Sequence, residues 1–153
     1  SIHFLAEQNG GKDYQTQSTL MQMSFALENG EAEKFMKYMK ALFKDIAYPL
    51  IDDKEKYFHS IFYLIIKLLG FHIESEVMTI DGRIDAVMFT ESAIFIIEFK
   101  AVNTHKAIEQ IRDKGYHHKY YSDPRPKILI GIDFDSTAKT IGDYAIEEVT
   151  EET

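Results

Sequence analysis

The sequence predicts an α/β (α+β) domain: a mixed central sheet flanked by helices, with a helical extension in front. Three observations lead there. Residues 18–46 carry apolar side chains at helical spacing. Residues 71–99 alternate, then run apolar, with short polar turns between the runs. After a further helical pattern, KILIGIDF at 127–134 is a continuous apolar strand of the kind that fills a sheet interior.

The elements follow in order. Residues 1–16 read as irregular. Residues 18–28 have helical spacing, with Ser18 in the cap position and Asn29-Gly30 as the stop. Residues 31–46 begin acidic and place Phe35, Met36, Met39, Leu42, Phe43 and Ile46 along one stripe, a core stripe. Pro49 ends that segment. A third helix is expected from Asp53 to Leu69, capped by Asp52 or Asp53 and stopped by Gly70. Its second half, IFYLIIKLL, is apolar nearly all round and reads as buried.

Residues 71–80 alternate as a strand, and Asp81-Gly82 is a tight-turn signal. A two-residue loop there sets Met78 opposite Asp85 and Glu76 opposite Val87. Ile73, Val77, Ile84, Ala86, Met88, Phe95, Ile97 and Phe99 then share one core face. Residues 104–114 read as a helix with Thr104 as cap and Gly115 as break, and YHHKYY resumes it. Residues 140–149 add an edge strand. The expected division is an irregular start and helical linker at 1–50, then the sheet-bearing domain at 51–153.

Composition narrows the class. The chain has 153 residues, 45% of them hydrophobic, with 11 Phe and 9 Tyr, which is the content of a globular core and not of a disordered chain. There is no Cys, so neither a disulfide framework nor a thiolate metal site can form. That suits a reducing, cytoplasmic setting. No apolar run approaches the ~20 residues of a membrane span, so no membrane partner is expected. The chain begins at Ser1 and not Met, so a fragment of a longer protein, or a domain behind a tag residue, is expected. Net charge is −8, yet residues 100–127 hold seven Lys or Arg against three acids. A basic stretch on an acidic protein fits a phosphate-facing cleft, and equally a solvated helix face.

The chemistry concentrates in residues 83–100, RIDAVMFTESAIFIIEFK. Asp85, Glu98 and Lys100 are charges within strands that should be apolar, which is costly unless they are paired or bind an ion. If Glu91-Ser92 forms the turn, Thr90 faces Ala93 and Asp85 falls directly opposite Glu98, with Cβ atoms ~5 Å apart. Lys100 lies two residues on, along the same face. That face also carries Glu74 and Glu76. Two carboxylates so close do not both stay ionised cheaply, and a hard divalent cation resolves this. The Phe99 carbonyl is a further candidate oxygen. Lys100 beside such a metal can orient a water or offset charge on a phosphate, which points to metal-assisted phosphodiester hydrolysis.

Asp85 followed by Glu98-Phe99-Lys100 resembles the Asp…(Asp/Glu)-X-Lys signature of the PD-(D/E)XK nuclease superfamily, with Ile84 where a proline often precedes the Asp. The expected α-β-β-β-α-β order is similar to that superfamily's restriction-endonuclease-like core. Tyr57-Phe58-His59-Ser60, Leu68-Leu69-Gly70-Phe71, Asp81-Gly82-Arg83-Ile84-Asp85, Glu109-Gln110-Ile111 and Lys114-Gly115-Tyr116 resemble a bacterial branch in which this domain follows an AAA-ATPase-like domain. The resemblance covers about residues 55–149.

The resemblance implies Asp85 and Glu98 as ligands of Mg²⁺ or Mn²⁺, with Lys100 as the catalytic lysine. Glu55 is implied as a further acid from the first core helix, and Gln110 and Tyr116 as polar site residues, Tyr116 on the nucleic-acid side. Lys106, Arg112, Lys114 and Lys119 are the candidate phosphate contacts, and nucleic acid, DNA first, is the expected partner. Plainer readings stand beside these. Glu55 is also an ordinary first-turn acid. His59 is also the partner of a carboxylate. Tyr116, Tyr120 and Tyr121 are also packing residues, and His117-His118 diverge by ~100° on a helix. Two rival functions remain: a catalytically inactive nuclease-fold module that binds nucleic acid or protein beside an ATPase-like domain, and an interaction domain with no site.

Overall fold

The structure is a computed structural model. It describes residues 2–46, 54–100 and 103–149, and the side chains of 14–46, 56–100 and 103–149. Helices α1 (Ile2–Glu28), α2 (Ala32–Asp45) and α3 (Lys54–Leu68) come first. Strands β1 (His72–Thr79), β2 (Gly82–Phe89) and β3 (Ile94–Phe99) follow, then helix α4 (Thr104–Asp113), a 3-10 turn at Tyr116–Tyr120, and strands β4 (Lys127–Asp135) and β5 (Thr140–Val149). The sheet runs β1-β2-β3-β4-β5. β3 and β4 are parallel, joined through α4, and the other pairs are antiparallel. This is the expected αβββαβ order within a mixed sheet, with β5 as an edge.

Two cores sandwich the sheet. On one face Ile73, Ala86, Met88, Phe95, Ile97, Ile130 and Ile132 pack against the apolar stripes of α1, α2 and α3. The stripe Phe35, Met36, Met39, Leu42 and Phe43 is buried as expected, so the N-terminal helices share one core with the sheet. On the other face Val87, Ile94, Ile96 and Leu129 pack against Ile108 and Ile111 of α4 and against Tyr116. Gly131 lets α4 approach β4: a Cβ there would lie 2.4 Å from the Thr104 carbonyl oxygen.

Several expectations need correction. Residues 2–16 are helical, so α1 is one continuous helix and Ser18 lies within it, not at its cap. Gly10 and Gly11 cost about 1 kcal/mol each against Ala, but without a proline nothing stops propagation from the neighbouring turns. The stop at Asn29-Gly30 holds: Gly30 is left-handed (φ 70°), and Glu31 N donates to Ala26 O at 2.8 Å. The α3 cap at Asp52 or Asp53 lies outside the described residues. α3 is not buried all round. Phe62, Ile65 and Ile66 are, while Leu64 and Leu68 are exposed, because the sheet covers only one side of the helix.

Asn103, not Thr104, caps α4, its side-chain oxygen accepting from His105 N and Lys106 N. Gly115 (φ 63°) ends α4, and the chain resumes as a 3-10 turn in place of an α-helix.

The β1–β2 register also differs. The loop residues are Ile80 and Asp81, with Thr79 paired to Gly82. Glu74 therefore faces Val87, Met78 faces Arg83, and Glu76 falls across from Asp85. The Thr79 hydroxyl donates to Gly82 O, and a Cβ at Gly82 would lie 2.7 Å from the Tyr116 hydroxyl, so the glycine serves close approach as well as the turn. Val77 and Ile84 belong to the α4-side core and not to the face of Ile73 and Ala86. The alternation breaks at Glu76, whose backbone is left-handed (φ 53°), an uncommon state for a residue with a Cβ.

Candidate active site

The site forms where β2 and β3 part. Their ladder runs from Phe89↔Ile94 to Ala86↔Ile97. The turn is closed by Thr90, whose amide donates to Ala93 O at 3.0 Å and whose hydroxyl oxygen accepts from Ser92 N and Ala93 N. That side-chain turn lets Glu91-Ser92 close a hairpin it would not otherwise favour. Continuing the register one step places Asp85 across from Glu98. There, side chains replace the ladder. Phe99 N donates to Asp85 Oδ2 at 2.9 Å, and Asp85 N donates to Glu98 Oε1 at 3.2 Å.

Burial decides the electrostatics of this pair. Glu98 is 3% exposed, and Asp85 is half-buried. Desolvation, then the hydrogen bond and charge of the Asp85 side chain, push the Glu98 carboxyl up to about 9. The Asp85 amide and the Lys100 charge pull the other way and lose. Near neutral pH the two acids hold a proton between them. Lys100 is half-buried at the end of the strand, where its amide donates to Ile132 O at 2.8 Å and continues the parallel pairing.

This donor set fits a hard divalent cation. Two adjoining carboxylates, one holding a proton because burial and its neighbour oppose its charge, are the ligands Mg²⁺ accepts beside water and phosphate oxygens. Among the described residues no three His, Asp or Glu side chains converge. Glu55 sits on the first turn of α3, and its side chain lies outside the described residues.

Asp85 also lines a cleft of about 460 Å³ between α3 and the β1–β2 hairpin, with His59, Phe62, Tyr63, Leu64, Glu76 and Phe99 among its walls. The His59 and Phe99 rings stack with centroids 4.1 Å apart. Glu76 shares the cleft, whereas Glu74 pairs with His72 at 3.2 Å, away from it.

The other expected residues scatter. Gln110 is half-buried on α4, and Lys106 and Lys114 are exposed. Arg112 is ion-paired with Glu147, and Lys119 Nζ donates to Met78 O at 3.1 Å. Tyr116, expected at a nucleic-acid surface, is 3% exposed and packs in the α4-side core, so the packing reading is correct. Sequence reasoning missed the cleft face of α3. Its signal was present: Lys56, His59, Ser60, Tyr63 and Leu64 recur at helical spacing and mix polar with aromatic groups. It also missed the Glu76 backbone, for which no residue type gave a sign.

An αβββαβ core with two acids and a lysine at the parting of its second and third strands is the arrangement that the PD-(D/E)XK signature describes. The chain belongs to the PD-(D/E)XK nuclease superfamily, whose family model matches residues 53–144. An uncharacterized protein in the vnfD 5′ region of Azotobacter chroococcum mcd 1 is 31% identical over 98 residues, which is 62% of this chain and 19% of that protein. The chain thus spans about a fifth of the length of the curated relative it matches. No solved structure matches it. No helix among the described residues is long and apolar enough to cross a membrane.

Proposed function

We propose that this domain is a metal-dependent nuclease that hydrolyses phosphodiester bonds in nucleic acid, with DNA the first expected substrate. One observation carries the reading: Asp85 and Glu98 meet at the end of the β2–β3 ladder, with Lys100 close enough to act on the Glu98 charge. Asp85 and Glu98, with the Phe99 carbonyl and Glu55, would hold Mg²⁺ or Mn²⁺. When bound, the ion supplies a Lewis acid beside the scissile phosphate. Lys100 orients the attacking water and offsets charge gathering on the phosphate oxygens. Gln110 is assigned a positioning role, and Lys106 and Lys114, exposed on α4, the sequence-independent phosphate contacts. The test is incubation of the protein with DNA and with RNA in Mg²⁺ or Mn²⁺, beside Glu98→Gln and Lys100→Ala. Metal-dependent cleavage lost in both variants supports the assignment, and cleavage that survives both overturns it.

A second reading is a nuclease-fold binding module beside an ATPase-like domain of a longer protein. It is favoured by the carboxylate count: among the described residues no third His, Asp or Glu side chain joins Asp85 and Glu98, the Glu55 side chain lying outside them. Calorimetry with Mn²⁺ separates the two readings. Binding at one site that Asp85→Asn abolishes counts against the silent module.

A further inference from the structure

We propose that the cleft between α3 and the β1–β2 hairpin takes an unstacked nucleobase, so that the strand reaching Asp85 is single-stranded at that nucleotide. The proposal rests on the nuclease reading above and names the substrate class of the same site.

The position of the cleft argues first. Asp85 is part of its wall, so a chain whose phosphate lies at the carboxylate pair has its neighbouring base or sugar at the cleft mouth. The volume of about 460 Å³ is within the ~300–1,000 Å³ range of sites that enclose small organic groups.

The chemistry of the walls argues second. A groove that tracks duplex phosphates is lined with cations. Here Lys56 is the one lysine or arginine in the described lining, whose surface is mainly apolar and aromatic, with Phe62, Tyr63, Leu64 and Phe99 forming much of it. Leu64 is 51% exposed although apolar, and Tyr63 is half-buried. Lys67 Nζ lies 5.7 Å from the Tyr63 ring centroid. Such surfaces match the flat π-face of a base, which inside a duplex is covered by its neighbours and is available only when unstacked. Ser75 and Glu76 add polar groups to the same lining, and a base edge carries amino and amide groups that can pair with them.

The test measures binding without cleavage. The Asp85→Asn/Glu98→Gln protein lacks the negative charge of the acid pair, which repels phosphate, and on the nuclease reading does not cut. Fluorescence anisotropy compares three labelled probes of equal length: single-stranded oligothymidylate, its duplex with oligodeoxyadenylate, and an abasic sugar–phosphate chain. The single strand is expected to bind at least about tenfold more tightly than the other two, the scale of one base–aromatic contact. Tyr63→Ala and, separately, Leu64→Ala in that background are expected to erase most of this preference and to leave the abasic chain unchanged. Equal binding of all three probes, no binding of any, or a preference that survives both substitutions overturns the proposal. The nuclease reading fails on different grounds, when the unsubstituted protein shows no metal-dependent cleavage while base-dependent binding persists.

Discussion

Asp85 and Glu98 are linked crosswise: the Asp85 carboxylate accepts from Phe99 N at 2.9 Å, and the Asp85 amide donates to the Glu98 carboxylate at 3.2 Å. Each acid thus completes the hydrogen bonding of a strand end that has lost its ladder partner. Asp85 therefore has a structural duty separable from any catalytic one. Asp85→Ala leaves a partly buried N–H without its acceptor and is expected to cost ~1–3 kcal/mol. Asp85→Asn keeps an acceptor oxygen and is expected to unfold within about 1 kcal/mol of the parent in urea. Both are expected to abolish the proposed cleavage. An Asp85→Asn protein that cuts normally removes Asp85 from the site.

Metal-free stability is expected to fall as pH rises. The Glu98 carboxyl is raised to about 9 in the fold, above its ordinary value, so the folded state binds its proton more tightly than the unfolded chain does. Between the ordinary carboxyl range and about 9 the folded state carries the extra proton, and the slope of stability against pH is negative there. Urea unfolding in chelator is expected to show greater stability at about pH 5 than at about pH 8 in this respect. Glu98→Gln keeps an oxygen for the Asp85 amide, carries no charge, and is expected to flatten that slope and to be the more stable protein at the alkaline end.

The legible parts of the chain were those where one residue pattern had one physical solution. The stripe from Phe35 to Phe43 read as a core face and is one. The β2–β3 register followed from one turn and set Asp85 against Glu98. What stayed hidden depended on conformations that no residue type demanded. Val77 follows a left-handed Glu76 and, with Ile84 paired across from it, lies on the opposite face, and a Glu gives no reason to expect that backbone. Tyr116 was ambiguous because an aromatic serves a core and a base equally well, and its burial in the α4-side core beside Gly82 resolves it.

Gly131→Ala is expected to be severely destabilising. A Cβ at Gly131 would lie 2.4 Å from Thr104 O and 3.0 Å from Ala107 Cβ, both held by α4 against β4. Backbone cannot yield as a side chain can, so the loss is expected at ~1–3 kcal/mol or more, read as a lowered urea midpoint. Gly142→Ala is the control. Its Cβ would meet Asp133 Oδ2 at 2.9 Å, and a carboxylate can swing aside, so a smaller loss is expected.

The loop before β4 is fastened to the β2–β3 turn. Arg125 Nη1 donates to Thr90 O at 2.7 Å, while Asp123 accepts from Arg125 Nε and Nη2 at 3.0 and 2.8 Å. These bonds to Arg125 hold the Asp123 carboxyl well below the usual carboxylate range. The stabilisation is present above that usual range and is lost only as pH falls below it towards the depressed value. Arg125→Ala is expected to lower the amide protection of residues 89–94, each rate being referred to its intrinsic value at the same pH. Equal exchange in parent and variant at neutral pH removes the fastening role.

Cation binding at the acid pair is expected to expel the shared proton. Below about 9 Glu98 holds a proton because burial and Asp85 oppose its charge, and the charge of a divalent ion between the two carboxylates outweighs both effects. Mn²⁺ affinity should therefore rise with pH through the neutral range. Calorimetry in two buffers of different ionisation enthalpy is expected to give release of about one proton per ion near neutral pH. Glu98→Gln has no proton to lose there, so its residual binding is expected to be weaker and independent of buffer. Asp85→Asn removes the neighbour that raises Glu98 and is expected to reduce proton release together with affinity. Tight binding with no proton release would place the ion elsewhere, since no cation can join an acid pair that holds a proton without displacing it.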